Sequence, residues 1–206
     1  FDFWQQQFDL KVAARPRDQE LFAESSGRLI INDTDLTFNA SLQIETLNAP
    51  LFEIVATLPA DWQLKSVFLE MSTNDPAQPT WTVGSNPNQI LIKPPRPVAP
   101  GEILPLGIQM HRTIADPDVE QKIALPVVTM EKITTVGGTY VISFADDLIV
   151  SPLSLTGLTP IAGSGAEQVF QNLGTEINGE LSIARKPSRL ATRSVLKTWA
   201  DSRQLS

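Results

Sequence analysis

The chain contains no cysteine, one histidine, one tyrosine and few aromatic residues, which make up 7% of the sequence. The absence of cysteine excludes disulfides, thiolate zinc sites and cysteine nucleophiles. A single histidine, His111, excludes a zinc site built from several histidines of this chain. These absences leave few routes to metal or nucleophilic catalysis.

Positive charge is also scarce and unevenly distributed. The chain has 16 basic and 23 acidic residues, a net charge of −7 and a pI near 4.7. No lysine or arginine lies between Lys132 and Arg185, whereas residues 181–206 contain six bases and one acid, Asp201. An acidic body would repel phosphate, so we expect no nucleic-acid partner. The basic end could instead dock onto the acidic body of a neighbouring unit.

Long hydrophobic runs are missing as well. No apolar stretch approaches the roughly 20 residues that cross a bilayer, and no targeting signal opens the sequence, which starts at Phe1. We therefore expect no direct membrane insertion by this segment. The start at Phe1 favours a fragment of a longer polypeptide over a trimmed cytosolic protein.

Alternation of apolar and polar residues is the strongest pattern present. It runs through residues 36–45 with period two, and again through residues 52–58 and 104–110. Prolines and short polar loops separate these runs. The sequence predicts an all-β fold, an antiparallel β-sandwich formed as one large or two abutting sandwiches, with at most one or two short helices.

Two local signals refine this prediction. Gly137-Gly138 between β-rich segments predicts a two-residue hairpin turn, because both central positions of a type I′ turn need positive φ. Ser164 and Glu167 have capping-box spacing, an apolar stripe follows, and Gly174 sits where a helix would end. We therefore predict one short helix there.

The polar segment near residues 112–122 suggests a division of the chain. We predict a first β-sandwich region over 1–112, a second β-rich region packed on it over 113–179, and a basic C-terminal segment over 180–206. Residues 9–16 and 180–187 share the order acid, Leu, polar, β-branched, Ala, any, base, Pro, 171 positions apart. This similarity predicts a tandem unit whose next copy starts at residue 180.

The run from Phe52 to Val67, then Trp81, then residues 94–101 leading into 103–106, resembles β-sandwich segments of large uncharacterised bacterial cell-envelope proteins. Pro100-Gly101 before an alternating strand is also similar to cohesin-like and other immunoglobulin-like modules. The resemblance carries no catalytic residues. It implies an extracytoplasmic location and a role in structure or binding.

Catalytic constellations are weak. His111 is followed by Asp116 and Asp118 across a proline, with no evident nucleophile, so an ordinary surface histidine is the simpler interpretation. Ser164 lies in Gly163-Ser164-Gly165, which lacks nucleophile-elbow spacing and favours a helix cap. We therefore predict that the chain is not an enzyme.

Paired acids in loops are the one metal-binding candidate. Oxygen clusters in loops bind calcium, and Asp33 with Asp35, Asp146 with Asp147, and Asp116 with Asp118 and Glu120 qualify by type. None has the calcium-loop pattern, and such pairs usually form turns or face water. We predict no cofactor, with Asp116 and Asp118 as the best position for a structural calcium.

Tryptophans are the candidates for ligand binding. Exposed aromatic rings beside polar groups bind sugars, and Trp62 and Trp81 are the leading positions, with Trp4 third. The alternative is that Trp62 and Trp81 pack in the core, as most tryptophans do. Exposure of either ring separates the two interpretations.

These observations predict a non-catalytic extracytoplasmic structural, assembly or adhesion module, as part of a larger bacterial envelope protein. Its partner would be another protein or a neighbouring repeat. A carbohydrate- or polymer-binding β-sandwich module, with a polysaccharide as partner, is the alternative. A hydrolase of unknown substrate is the third, which a pocket with His111 or close carboxylates would reveal.

Overall fold

The computed structural model describes residues 19–70, 77–114, 119–174 and 176–187. These residues form β-strands and turns, and within them there is no helix that could span a membrane. The all-β prediction is confirmed. The fourteen strands are β1 Glu20–Ile31, β2 Asp35–Leu47, β3 Ile54–Thr57, β4 Gln63–Leu69, β5 Thr80–Val83, β6 Gln89–Lys93, β7 Ile103–Thr113, β8 Gln121–Ala124, β9 Thr129–Met130, β10 Ile133–Phe144, β11 Leu148–Thr156, β12 Thr159–Ser164, β13 Glu167–Asn172 and β14 Asn178–Arg185.

A seven-stranded sheet forms the main layer, in the order β12-β13-β10-β1-β2-β7-β4. Its pairs are antiparallel except β1 with β10, which run parallel. The predicted alternation appears in β2, where residues 36–46 at even positions are buried and those at odd positions are partly exposed. One face of this sheet is therefore covered by protein.

Two smaller antiparallel sheets complete the fold. One has the order β11-β14-β8 and the other β5-β6-β3-β9. Leu42 and Leu106 of the main sheet, Ile92 of the four-stranded sheet and Leu181 of the three-stranded sheet belong to one buried hydrophobic cluster. Because the three sheets share this core, the arrangement is sandwich-like.

Gly137 and Gly138 do not form the predicted hairpin turn. They lie inside β10, where the register with β1 shifts between Thr135 and Gly137. Their φ values are +145° and +149°, and a Cβ on Gly138 would lie 1.9 Å from the carbonyl oxygen of Ser25. The two glycines are needed for a bulge against a neighbouring strand, and not for a chain reversal.

The predicted helix at residues 164–173 is also wrong. This segment is a hairpin in which β12 ends at Ser164, Gly165 turns with φ +58°, and β13 follows. Pairing of β13 with β10 buries Phe170 in the core. A capping-box spacing was present, but a nine-residue helix has little stability of its own, and sheet pairing decides the structure.

Strands from both sides of residues 113–122 hydrogen-bond within the main sheet, since β10 pairs with β1. The C-terminal β14 pairs with β8 and β11. The predicted domain boundaries stay predictions. The repeat comparison does too, because residues 9–16 lie outside the described residues.

Candidate functional site

The two tryptophans proposed as ligand platforms lie in different environments. Trp62 is buried, with 8% of its surface exposed, and its ring meets Phe38 edge-on at 6.2 Å. Trp81 is 41% exposed on the edge strand β5. Only Trp81 of this pair therefore has a ring available to a ligand, while Trp4 lies outside the described residues.

The best calcium candidates, Asp116 and Asp118, also lie outside the described residues. One acid of each other pair contacts a base: Arg185 Nη2 lies 3.3 Å from Asp33, and Arg185 Nε lies 3.8 Å from Asp147. No group of three or more metal-ligating side chains occurs in the described part of the chain. The carboxylates of Asp33 and Asp147 are therefore ion-paired with Arg185.

His111 lies on the outer face of the main sheet. Its neighbours across the sheet are Thr37 on β2 and Gln63 on β4, and its buried Nδ1 atom has no hydrogen-bond partner among the described residues. Ser164 pairs with Glu167 across the β12–β13 hairpin and caps no helix. The structure does not bring His111 and Ser164 together, since they lie on strands at opposite sides of the sheet.

A groove opens beside β10 of the main sheet, next to β9 and to the segment that leads into β14. Its cavity has a volume of about 380 Å³. Below, "the interlayer groove" means the cavity bounded by Ser25, Val127, Val128, Thr129, Met130, Ile133, Thr134, Thr135, Asn172, Gly174, Glu176 and Ile177. Sequence analysis did not identify any of these residues as a site.

One wall of the interlayer groove is the beginning of β10, which pairs with β1 on one side and has no strand on the other. The register of β10 with β13 ends at the pair Gly138 and Asn172, whereas its register with β1 continues back to Ile133. Within the described residues, Ile133–Thr135 therefore pair with a strand on one side only, Val136 is the extra residue of the bulge, and Gly174 packs against the backbone at Thr135 and Val136. Backbone N–H and C=O groups along such an edge are ready to accept another strand.

The opposite wall is the segment 125–130, which crosses over the main sheet. The Tyr140 hydroxyl donates to the Pro126 carbonyl oxygen at 3.1 Å, and the Leu125 N–H donates to the Gly179 carbonyl oxygen at 2.9 Å. At the far end of the segment, Met130 pairs with Ala56 of β3. The wall is thus fastened to all three sheets, and the groove is a preformed feature of the fold.

The lining of the interlayer groove is mixed in chemistry. Val127, Val128, Met130, Ile133 and Ile177 give it apolar surface, and hydroxyl and amide groups add hydrogen-bonding capacity. The Asn172 Oδ1 atom is already used, since it accepts from the Gly174 N–H at 2.6 Å. This combination suits recognition by apolar contact and hydrogen bonds.

Glu176 is the one titratable side chain of this lining, and it is exposed. A single carboxylate is too few to hold a metal ion, and the lining contains no pair of nucleophile and base. The sequence has no base between Lys132 and Arg185, and Lys132 directly precedes the lining residue Ile133. The carboxylate of Glu176 favours a neutral or cationic group beside it.

Comparisons with known proteins are few. No family model matches the chain, and no curated protein matches it. Solved structures of an M1 zinc metallopeptidase from Deinococcus radiodurans are similar at 13% identity and a TM-score of 0.49, covering 79% of this chain and 42% of that chain. A structure of a variant from the same organism with a Tyr-Ser-Ala substrate has the same identity, TM-score and coverage. A two-domain M1 zinc metallopeptidase variant with L-arginine bound has 14% identity and the same TM-score and coverage.

The prediction of a non-catalytic extracytoplasmic structural, assembly or adhesion module is wrong against this comparison, because the similar solved structures are zinc metallopeptidases. The chain spans less than half the length of those proteins. A likeness at this identity transfers neither zinc ligands nor peptidase activity to the present chain.

Proposed function

We propose that this chain binds an extended polypeptide segment in the interlayer groove, by adding the segment as a strand to the free edge of β10. The observation that carries the proposal is that Ile133–Thr135 pair on one side only while the cavity opens beside them. Main-chain hydrogen bonds to such an edge supply affinity, and alternate side chains of the bound strand supply specificity.

The groove limits the segment to a few residues. Its volume of about 380 Å³ is near the lower end of ligand pockets, which span roughly 300–1,000 Å³. Side chains that point inward would contact Val128 and Ile177, so aliphatic residues are favoured there. A lysine or arginine near the mouth would meet the carboxylate of Glu176.

A protein partner is favoured over nucleic acid, since the chain's net charge of −7 opposes phosphate. The location outside the cytoplasm, which the resemblance to cell-envelope proteins implies, stays a prediction. The proposal concerns binding, and it holds whether or not the whole protein also carries out a reaction.

The test uses a phage-displayed library of random heptapeptides selected against the full chain. We expect enriched peptides to be apolar and basic, and synthetic copies to shift the amide resonances of residues 133–135. Glu176→Arg should weaken their binding about tenfold, as expected for a lost ion pair replaced by repulsion. The control Asp146→Arg makes the same charge change after the distant end of β10 and should leave binding unchanged.

Two results would overturn the proposal. One is selected peptides that shift resonances elsewhere and leave residues 133–135 unmoved. The other is a library that yields no binder while the chain is folded, as judged by its circular dichroism.

A further inference from the structure

Edge strands expose unpaired backbone groups, and folded proteins usually block them with charge, proline, bulges or extreme shortness. Nearly every edge among the described sheets carries such a device. The blocking features are Lys65 and a bulge in β4, Pro160 and a bulge in β12, Pro152 and a bulge in β11, Lys122 in β8, and a length of two residues in β9.

The edge strand β5 has none of these features. Its sequence, Thr80-Trp81-Thr82-Val83, is uncharged and free of proline, and its pairing with β6 is regular. All four residues are exposed, and β-branched and aromatic residues are those that strands favour. The contrast with the other edges indicates a strand that remains open to a partner.

The hydrogen-bonding pattern shows which backbone groups point outward. Gly84 N–H donates to the Gln89 carbonyl oxygen at 2.6 Å, which marks that pair as hydrogen-bonded. Bonded and non-bonded pairs alternate along antiparallel strands, so Thr82 also bonds to β6. The N–H and C=O groups of Trp81 and Val83 therefore point away from β6, toward the free edge.

The side chains of Trp81 and Val83 lie on one face of the strand. They are 41% and 62% exposed, and their partners across β6 are the buried residues Ile92 and Ile90. The hydrophobic core thus continues to the sheet edge and ends there in two uncovered apolar side chains. A further strand added at this edge would extend the same apolar face.

We propose that two copies of this chain associate through β5, pairing antiparallel about a two-fold axis at Thr82. In this register Trp81 of each copy lies opposite Val83 of the other. All four outward backbone groups of each copy are then used, in four hydrogen bonds across the axis. The same register places an aromatic ring beside a β-branched side chain twice, which is a favourable cross-strand pair.

The self-complementary register is the reason to choose a second copy over another protein. One strand satisfies its own hydrogen-bonding and side-chain pattern when rotated by two-fold symmetry, as an isologous interface requires. The pair joins two four-stranded sheets into one sheet of eight. Two four-residue strands bury far less than the roughly 1,200 Å² of a stable interface, so the association should be weak and become visible only toward millimolar concentration.

Sedimentation equilibrium of the full chain from micromolar to millimolar concentration tests this proposal. Val83→Pro removes an outward N–H and no bond to β6, so the fold should survive while dimerisation weakens at least about tenfold. Val83→Thr keeps the N–H and the β-branched shape, and it should retain most of the association. In the wild type, tryptophan emission should move to shorter wavelength as the dimer forms.

A chain that stays monomeric at millimolar concentration would overturn the proposal and leave β5 to a strand of a different protein. A dimer whose dissociation constant is unchanged by Val83→Pro would also overturn it, because a different surface would then hold the copies together. Should Val83→Pro fail to fold, Trp81→Lys provides the same comparison by placing two charges next to the axis.

Discussion

The hydroxyl group of Tyr140 donates a hydrogen bond of 3.1 Å to the carbonyl oxygen of Pro126. Tyr140 is buried on β10 and stacks on Phe38 at 5.7 Å, so the main sheet holds its end of this bond rigidly. Pro126 belongs to the segment that forms one wall of the interlayer groove. A single side chain thus ties the groove wall to the central sheet.

Replacing this tyrosine by phenylalanine should destabilise the protein. Tyr140→Phe leaves the ring stacked on Phe38 but leaves the carbonyl oxygen of Pro126 without its donor. We expect the free energy of unfolding to fall by about 1–2 kcal/mol, measured by urea denaturation. A variant as stable as the wild type would show that water reaches this carbonyl group.

The same residue makes stability depend on pH in the alkaline range. Burial raises the pKa of Tyr140 well above its ordinary value of 10.0. Above pH 10 the unfolded chain therefore loses this proton while the folded chain keeps it, and stability falls as the pH rises toward the folded-state pKa. The slope approaches about 1.4 kcal/mol per pH unit. The unfolding free energy of Tyr140→Phe, measured by urea denaturation at neutral and alkaline pH, should not show the fall that Tyr140 causes.

The bulge in β10 should not accept a side chain at Gly138. Its φ of +149° is unfavourable for other residues, and a Cβ would lie 1.9 Å from the Ser25 carbonyl oxygen. We expect Gly138→Ala to cost about 3 kcal/mol or more. Gly163→Ala is the control, because its nearest atom would be 3.6 Å away and its φ is not positive. Equal thermal melting curves for the two variants would contradict this account.

Trp62 and Trp81 should respond differently to truncation. Trp62→Ala empties a core position beside Phe38 and should cost about 3–5 kcal/mol of unfolding free energy. Trp81→Ala removes a ring that is 41% exposed and should cost about 1 kcal/mol. Chemical denaturation of both variants compares these costs. Similar losses would mean that Trp81 is covered in solution.

Much of the strand content could be predicted from local sequence. The alternation at residues 36–45 places every second side chain of β2 in the core, because successive side chains of a strand point to opposite faces. A short run of alternating residues is therefore enough to indicate which face of a strand is buried. The buried state of Trp62 was likewise one of two interpretations that its residue type allowed.

The two local errors share one physical cause. Gly137-Gly138 and the capping-box spacing at Ser164 and Glu167 have several local solutions of similar energy. The choice between them depends on neighbouring strands: Gly138 lies against Ser25, and β13 pairs with β10. Neither neighbour is close in sequence, so neither could be read from the local pattern.

The sequence by itself determined the all-β class, the apolar face of β2 and the absence of any lysine or arginine from residues 133–184. Tertiary structure decided the candidate sites, because each is defined by where pairing stops. The interlayer groove exists because β13 leaves β10 at Gly138, and β5 is an edge because only β6 pairs with it among the described strands. Side-chain alternation is local, whereas strand order joins residues such as Ser26 and Thr139, 113 positions apart.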